Sequence, residues 1–167
     1  MLTDALPLMF LSFFAPLCVL CGALALIDIR DGIIPDGLNL SVAALGLAKA
    51  IVAASAMAGI DAAGEGLAIG VVFWLLRQLY FSLRKIQGLG LGDVKFLAAA
   101  GVWVGLAGIP IVVLIAAVTA LATAGALQLA GRDMTRRTSL PFGPFLAIGL
   151  LATLVFQQVF QPFFMAL

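Results

Sequence analysis

Gly90-Leu91-Gly92-Asp93-Val94-Lys95 stands at the edge of a long apolar segment of this chain. The stretch places an aspartate between two glycines and a lysine, where a charge costs free energy. Ionisable residues in apolar membrane segments are rare and usually functional. We therefore expect Asp93 to have a role in function.

The apolar segment that follows Asp93 is divided near its middle. Pro110 suits the first turn of a helix, since its missing N–H has no intrahelical partner there. The sequence therefore predicts two spans, at about 93–108 and 109–130, that form a tight helical hairpin. The glycines that punctuate the first span are Gly101, Gly105 and Gly108.

The composition identifies an integral membrane protein. The chain has 167 residues, of which 64% are hydrophobic and only 10% are charged, whereas soluble domains have about 25% charged residues. Its mean hydropathy is +1.23. We expect an all-α fold, a polytopic bundle of about six spans that forms a single membrane-embedded domain over residues 1–167. The predicted spans are 6–27, 38–59, 64–83, 93–108, 109–130 and 142–165.

The charge and the cysteines exclude two classes of partner. A net charge of +1 does not suit nucleic acid, which requires a basic patch. Cys18 and Cys21 lie inside the first apolar run, and the chain contains no histidine and no second cysteine pair to complete a tetrahedral zinc site. We expect no metal, no organic cofactor and no separate zinc-binding domain.

The basic residues predict the orientation in the membrane, because short loops rich in Lys and Arg stay in the cytoplasm. They place the first, third and fifth loops in the cytoplasm and both termini outside. Asp28, at the end of the first span, and Asp93 then lie at the same membrane face. The residues concerned are Arg30, Arg84, Lys85, Arg132, Arg136 and Arg137.

Asp28 and Asp93 form a candidate catalytic pair. Peptide hydrolysis by two carboxylates requires one ionised group to activate water and one protonated group to polarise the scissile carbonyl. Two carboxylates held close cannot both ionise, so we expect them to share a proton near neutrality. The assignment of acid and base stays open, since coupled groups titrate as a pair.

The residues around the pair allow other interpretations. Gly90 and Gly92 permit a substrate backbone to lie against the loop, but a glycine-rich turn with Asp93 as a helix cap explains them equally well. Asp36, which follows Pro35, is a second candidate for the pair. With Asn39 it also suits a cap that opens the second span.

The positions of three basic side chains suggest roles at different depths. Lys95 points away from Asp93 on a helix and either holds substrate or contacts lipid headgroups. Arg77, near the end of the third span, is expected to extend to the interface. For Lys49, near the middle of the second span, we expect a structural or peripheral role. The alternative is that it joins Asp28 and Asp93 in an ion path.

Three segments resemble the type IV prepilin peptidases, membrane members of the GxGD aspartyl proteases. Residues 28–36 resemble the family's D-x-x-x-x-x-x-P-D motif, Gly90 to Lys95 matches G-x-G-D-x-K, and residues 140–145 resemble P-F-G-P-F. The resemblance implies that Asp28 and Asp93 are catalytic. It implies prepilin or pseudopilin substrates, cleaved at the cytoplasmic face of a bacterial inner membrane.

The resemblance also adds expectations about the loops and about a second activity. It favours Lys95 as a functional residue, while Phe142 to Phe145 shapes the entrance to the last span. Longer members carry an N-terminal cytoplasmic segment with two CxxC pairs and are associated with methylating the new N-terminus. Here the one CxxC lies inside a span, so a peptidase-only form is expected and N-methyltransferase activity is not.

Two other functions remain open from the residues alone. A small ion-coupled or proton-coupled carrier would use Asp28, Asp93 and Lys49 as its path, but carriers place such charges near the bilayer midplane. A scaffold subunit would tolerate loss of both aspartates. Because both aspartates lie at one membrane edge, the sequence favours the peptidase, with membrane lipid and a prepilin-like substrate as its partners.

Overall fold

The computed structural model describes the backbone of residues 2–85, 89–130 and 141–164, and the side chains of 11–85, 89–130 and 141–159. Within these ranges the chain forms helices and no strand, which confirms the predicted all-α class. The helices are α1 (Leu2–Asp31), α2 (Asp36–Ala53), α3 (Ala56–Arg84), α4 (Leu91–Leu129) and α5 (Gly143–Phe164).

The length and apolarity of these helices fit a membrane-spanning bundle. The segment Leu11–Asp31 of α1, together with α2, α3 and α4, is long and apolar enough to cross a bilayer, and Gly143–Val159 is a shorter apolar helix. The count of six spans and the outside position of the termini stay predictions. The basic residues of the predicted fifth loop, and Gln87 and Gly88 of the third, lie outside the described ranges.

Helix α4 is interrupted at Gly105, where φ is 70° and ψ is 175°. In a single straight helix, residues 101 and 113 would lie about 18 Å apart. Ile69 of α3 nevertheless packs against Gly101 and lines one apolar cleft with Val113. Both halves of α4 therefore lie at the same level along α3, and the chain folds back at Gly105.

The predicted hairpin is thus present, but its break precedes the predicted boundary between residues 108 and 109. Two side chains from neighbouring helices satisfy the backbone groups that the break exposes. Glu65 Oε2 accepts a 3.0 Å hydrogen bond from the Leu106 N–H, and Gln157 Nε2 donates a 3.1 Å bond to the Val104 carbonyl. In lipid each such group would otherwise be unpaired at a cost of several kcal/mol.

Helix α4 forms the centre of the bundle. It contacts α2, α3 and α5, while α1 packs against α2 and α5. Trp103 donates a 2.9 Å hydrogen bond to the Val42 carbonyl, and Lys49 lies over its ring at 5.2 Å. A Cβ at Gly46 would come within 2.8 Å of the Trp103 indole nitrogen, so this glycine allows α2 to approach. The packing fixes where α4 begins, and with it the position of Asp93.

Candidate active site

A cavity of about 710 Å³ lies where α1 ends and α4 begins. It brings together six of the seven residues that the sequence singled out, which are Asp28, Asp36, Gly90, Gly92, Asp93 and Lys95. The seventh, Pro35, lies directly before Asp36. The remaining lining residues are Ile29, Gly32, Ile33, Ile34, Leu91, Pro141 and Phe142.

Asp28 is held at the end of α1 by the last helix of the bundle. Its side chain is buried, with 6% of the residue exposed. The Gly143 N–H, at the start of α5, donates a 2.8 Å hydrogen bond to Asp28 Oδ2. A Cβ at Gly143 would lie 2.7 Å from the same oxygen, so only glycine fits without displacement.

The sequence did not predict this role for Gly143. The segment Phe142 to Phe145 was expected to shape the entrance to the last span. Phe142 lines the cavity, and its carbonyl accepts the N–H of Phe145 in the first turn of α5. The available signal was the glycine inside the P-F-G-P-F motif, which indicates a close approach but not which residue approaches. The contact joins residues 115 positions apart.

Asp93 occupies the third position of α4, one turn after the residue that caps the helix. The cap is Gly90, with φ −64° and ψ 144°, so the interpretation of Asp93 as the cap itself is wrong. The Asp93 carboxylate reaches back toward this cap, since a Cβ at Gly90 would come within 3.0 Å of Asp93 Oδ2. The third helical side chain of a capping box lies at the same place.

The two carboxylates lie close enough to interact electrostatically, and both line the cavity. Peptide hydrolysis by two carboxylates needs one group to accept a proton from water and the other to donate a proton. The expectation that the pair shares a proton stays a prediction.

Gly92 makes room for the first loop. A Cβ at this position would lie 3.0 Å from Ile34 Cβ, which is tighter than ordinary packing. Its missing side chain thus lets the loop before α2 approach the first turn of α4. The expectation that Gly92 lies against a substrate backbone stays a prediction.

Lys95 and Asp36 form an ion pair across the cavity mouth. The Lys95 ammonium lies 2.6 Å and 2.8 Å from the two Asp36 oxygens. Asp36 is the first residue of α2, and the cap position belongs to Pro35, whose carbonyl accepts the N–H of Leu38 and Asn39. The capping interpretation of Asp36 and Asn39 is therefore wrong. The geometry favours Asp28, not Asp36, as the partner of Asp93.

Two further residues contact the segment 89–93, where α4 begins, which we call the glycine loop. Asn39 Nδ2 donates to the Gly92 carbonyl at 3.4 Å, and Arg77 Nε donates to the Leu89 carbonyl at 3.0 Å. The sequence assigned Asn39 to a helix cap and Arg77 to the membrane interface. Donors from α2 and α3 thus bracket the glycine loop.

No metal centre emerges among the residues that the structure describes. No group of three or more His, Cys, Asp or Glu side chains there could hold a metal ion. Cys18 and Cys21 are free thiols on α1, the first half-buried and the second buried. The ionisable side chains that line the cavity are Asp28, Asp36, Asp93 and Lys95.

Comparison with known proteins gives a consistent relationship. The type IV leader peptidase family matches residues 15–125. A prepilin leader peptidase/N-methyltransferase of Burkholderia pseudomallei is 41% identical over 145 residues, which cover 86% of this chain and 46% of the relative. Proteins of the same name from Xanthomonas campestris pv. campestris and Escherichia coli K12 are each 35% identical, over 81% and 78% of this chain and 47% and 57% of the relative.

The chain spans about half the length of the curated relatives it matches. No solved structure matches it. The matched region includes Asp28, Asp93 and the loops that bear them.

Proposed function

Because the chain belongs to the type IV leader peptidase family, we propose that it is a membrane aspartyl endopeptidase. In this proposal it removes the leader from prepilin-like or pseudopilin-like substrates at the cytoplasmic membrane face. The observation that carries the proposal is the meeting of Asp28 and Asp93 at one cavity, although 65 positions separate them in the chain.

The pair supplies both proton transfers that peptide hydrolysis needs. The ionised carboxylate takes a proton from water as the oxygen attacks the scissile carbonyl carbon, and the protonated carboxyl donates to the carbonyl oxygen. A tetrahedral intermediate results. As it collapses, the C–N bond breaks and the proton taken from water passes to the departing amine. The oxygen that received the proton of the second aspartate returns it, so both aspartates regain their starting charge and the leader ends in a new carboxyl group.

The Gly143 N–H fixes one oxygen of Asp28 during these steps. A carboxylate that accepts a backbone bond at Oδ2 keeps Oδ1 for water or for the shared proton. The acid and base roles within the pair stay unassigned.

The proposed location is the inner membrane of a bacterium, with the cavity at the cytoplasmic side. Arg30 follows Asp28 by two residues, and the basic third loop precedes Asp93, as the retention of Lys and Arg in cytoplasmic loops requires. The cavity is open and bears two carboxylates, Asp36 and Lys95, so water can reach it at that edge.

The test is co-expression in bacterial membranes with a tagged type IV prepilin, read by intact mass. Wild type should remove the leader, and Asp28→Asn and Asp93→Asn should not. Asp61→Asn is the matched control, since Asp61 is exposed on α3 and does not line the cavity. Cleavage by either active-site variant at the wild-type level would refute the aspartyl mechanism, and uncleaved substrate with folded wild type would refute leader peptidase activity.

A further inference from the structure

We propose that Arg77 and Asn39 are positioning residues for Asp93. Each holds one peptide group of the loop, and through that group sets where the Asp93 carboxylate lies. The inference rests on the proposed peptidase function and assigns residues outside the three motifs. It follows from which peptide groups the two side chains bind.

Arg77 acts through the peptide group between Leu89 and Gly90. Its Nε donates to the Leu89 carbonyl at 3.0 Å, and the nitrogen of the same peptide group belongs to Gly90. The Asp93 carboxylate lies against Gly90, since a Cβ there would come within 3.0 Å of Asp93 Oδ2. By holding the plane of this peptide group, the guanidinium fixes the backbone against which the Asp93 carboxylate lies.

The bond from Arg77 also polarises the peptide group that it holds. A cationic donor on a carbonyl gives a stronger hydrogen bond than a neutral donor and polarises the N–H of the same peptide group. Arg77 is half-buried on α3, where an ionisable group is costly unless it is paired. The hydrogen bond to the Leu89 carbonyl provides a partner for this charge. In this proposal Arg77 acts on the active site through the backbone and does not contact the substrate.

Asn39 acts through the peptide group between Gly92 and Asp93. Its Nδ2 donates to the Gly92 carbonyl at 3.4 Å, so it fixes the orientation of the peptide group that joins Gly92 to Asp93. Only 5% of Asn39 is exposed, and its Oδ1 has no hydrogen-bond partner in the described part of the chain. A buried amide with an unpaired oxygen lowers stability, so a leucine there would be the better packing residue.

The loop needs such external support because glycine does not restrict its own backbone. Gly90 and Gly92 populate more conformations than any other residue type, and α4 begins directly within them. The two donors come from α2 and α3, which are packed against α4. Together they bind the Leu89 and Gly92 carbonyls, which flank Gly90 and Leu91. In this proposal the two bonds restrict the loop to one orientation.

The test compares variants of the purified full chain on a purified type IV prepilin. Arg77→Met and Asn39→Leu should each lower kcat by about 10-fold to 100-fold with KM changed less than about threefold, because misplacement of a catalytic group by about 1 Å costs on the order of 100-fold. Arg77→Lys should recover part of the lost kcat. Arg84→Met and Ser41→Ala are controls on the same helices, both exposed and neither in contact with the loop.

Amide hydrogen exchange of the loop is the second measurement, and it needs no turnover. In Arg77→Met and Asn39→Leu, exchange in peptides covering residues 89–95 should rise about tenfold over wild type, with the rest of α4 unchanged. Unchanged loop exchange, or kcat equal to that of the controls, would overturn the inference. So would a loss that Arg77→Lys does not relieve and that accompanies unfolding of the whole chain.

The two proposals fail differently. If leader peptidase function is wrong, the wild-type chain leaves the prepilin uncut while loop exchange still responds to both substitutions. If the positioning role is wrong, wild type cuts, Asp28→Asn and Asp93→Asn do not, and the Arg77 and Asn39 variants behave as the controls do.

Discussion

The Gly143 N–H lies 2.8 Å from Asp28 Oδ2 and joins the start of α5 to the end of α1. The bond ties together, at the cavity, the ends of two helices that also pack against each other. Because Asp28 is buried, the bond also supplies a donor that a carboxylate in such a place requires. One backbone contact thus serves both the fold and the site.

Substitution of Gly143 by alanine should damage the site more than the fold. The new Cβ would meet Oδ2, Cγ and Cβ of Asp28 at 2.7–3.1 Å, so the carboxylate has to move. We expect kcat to fall at least about tenfold and the free energy of unfolding to fall by about 1–3 kcal/mol. Gly125→Ala is the control, because nothing lies within 4 Å of a Cβ there. Equal activity in the two variants would contradict the role given to Gly143.

Gly105→Ala should destabilise the hairpin without a direct effect on the cavity. The residue has φ 70°, which side chains disfavour by about 1–2 kcal/mol, and its Cβ would lie 2.6 Å from Glu65 Oε2. We expect a clear loss of thermal stability in detergent, against little change for Gly22→Ala, where the space is open. A Gly105→Ala protein as stable as wild type would show that the reversal is placed wrongly.

The Lys95–Asp36 pair should contribute little to stability. Both side chains are substantially exposed, at 42% and 73%, and exposed pairs contribute about 0.2–1 kcal/mol. A double-mutant cycle with Lys95→Met and Asp36→Asn should give a coupling within that range, reduced by salt. A coupling above about 2 kcal/mol would mean that the pair is shielded from water, for example by a bound partner.

Removal of divalent metal should leave the activity unchanged. In the proposed reaction a carboxylate activates the water, and the described residues include no cluster of three or more His, Cys, Asp or Glu side chains. Prepilin cleavage after treatment with EDTA should match the untreated rate. Loss of activity that zinc or magnesium restores would require a different mechanism.

Much of this architecture could be predicted from the sequence. The apolar composition indicated an all-helical membrane protein, and the aspartates at the ends of two apolar runs indicated that Asp28 and Asp93 meet. The hairpin in the fourth apolar segment was also predicted. Its position was not, because any of three glycines could hold the reversal, and contacts of Glu65 and Gln157 on other helices select Gly105.

The supporting contacts could not be predicted for a common physical reason. The contacts of Gly143, Asn39 and Arg77 all involve backbone groups. Because nearly every residue has a backbone carbonyl and N–H, the residue types in a sequence do not show where such a contact forms. Local rules therefore assigned Asn39 to a helix cap and Arg77 to the interface. Both assignments follow from sequence neighbours, whereas the actual partners come from other helices or loops.

The most direct test of the central claim is kcat of the purified enzyme with Asp28→Asn, Asp93→Asn and both together, on one prepilin substrate. If the two carboxylates act as a unit, each single variant should lose about 1000-fold or more, and the double variant should lose no more than the worse single one. Losses that add in free energy, or substantial cleavage by either single variant, would show that the two aspartates do not form one catalytic pair.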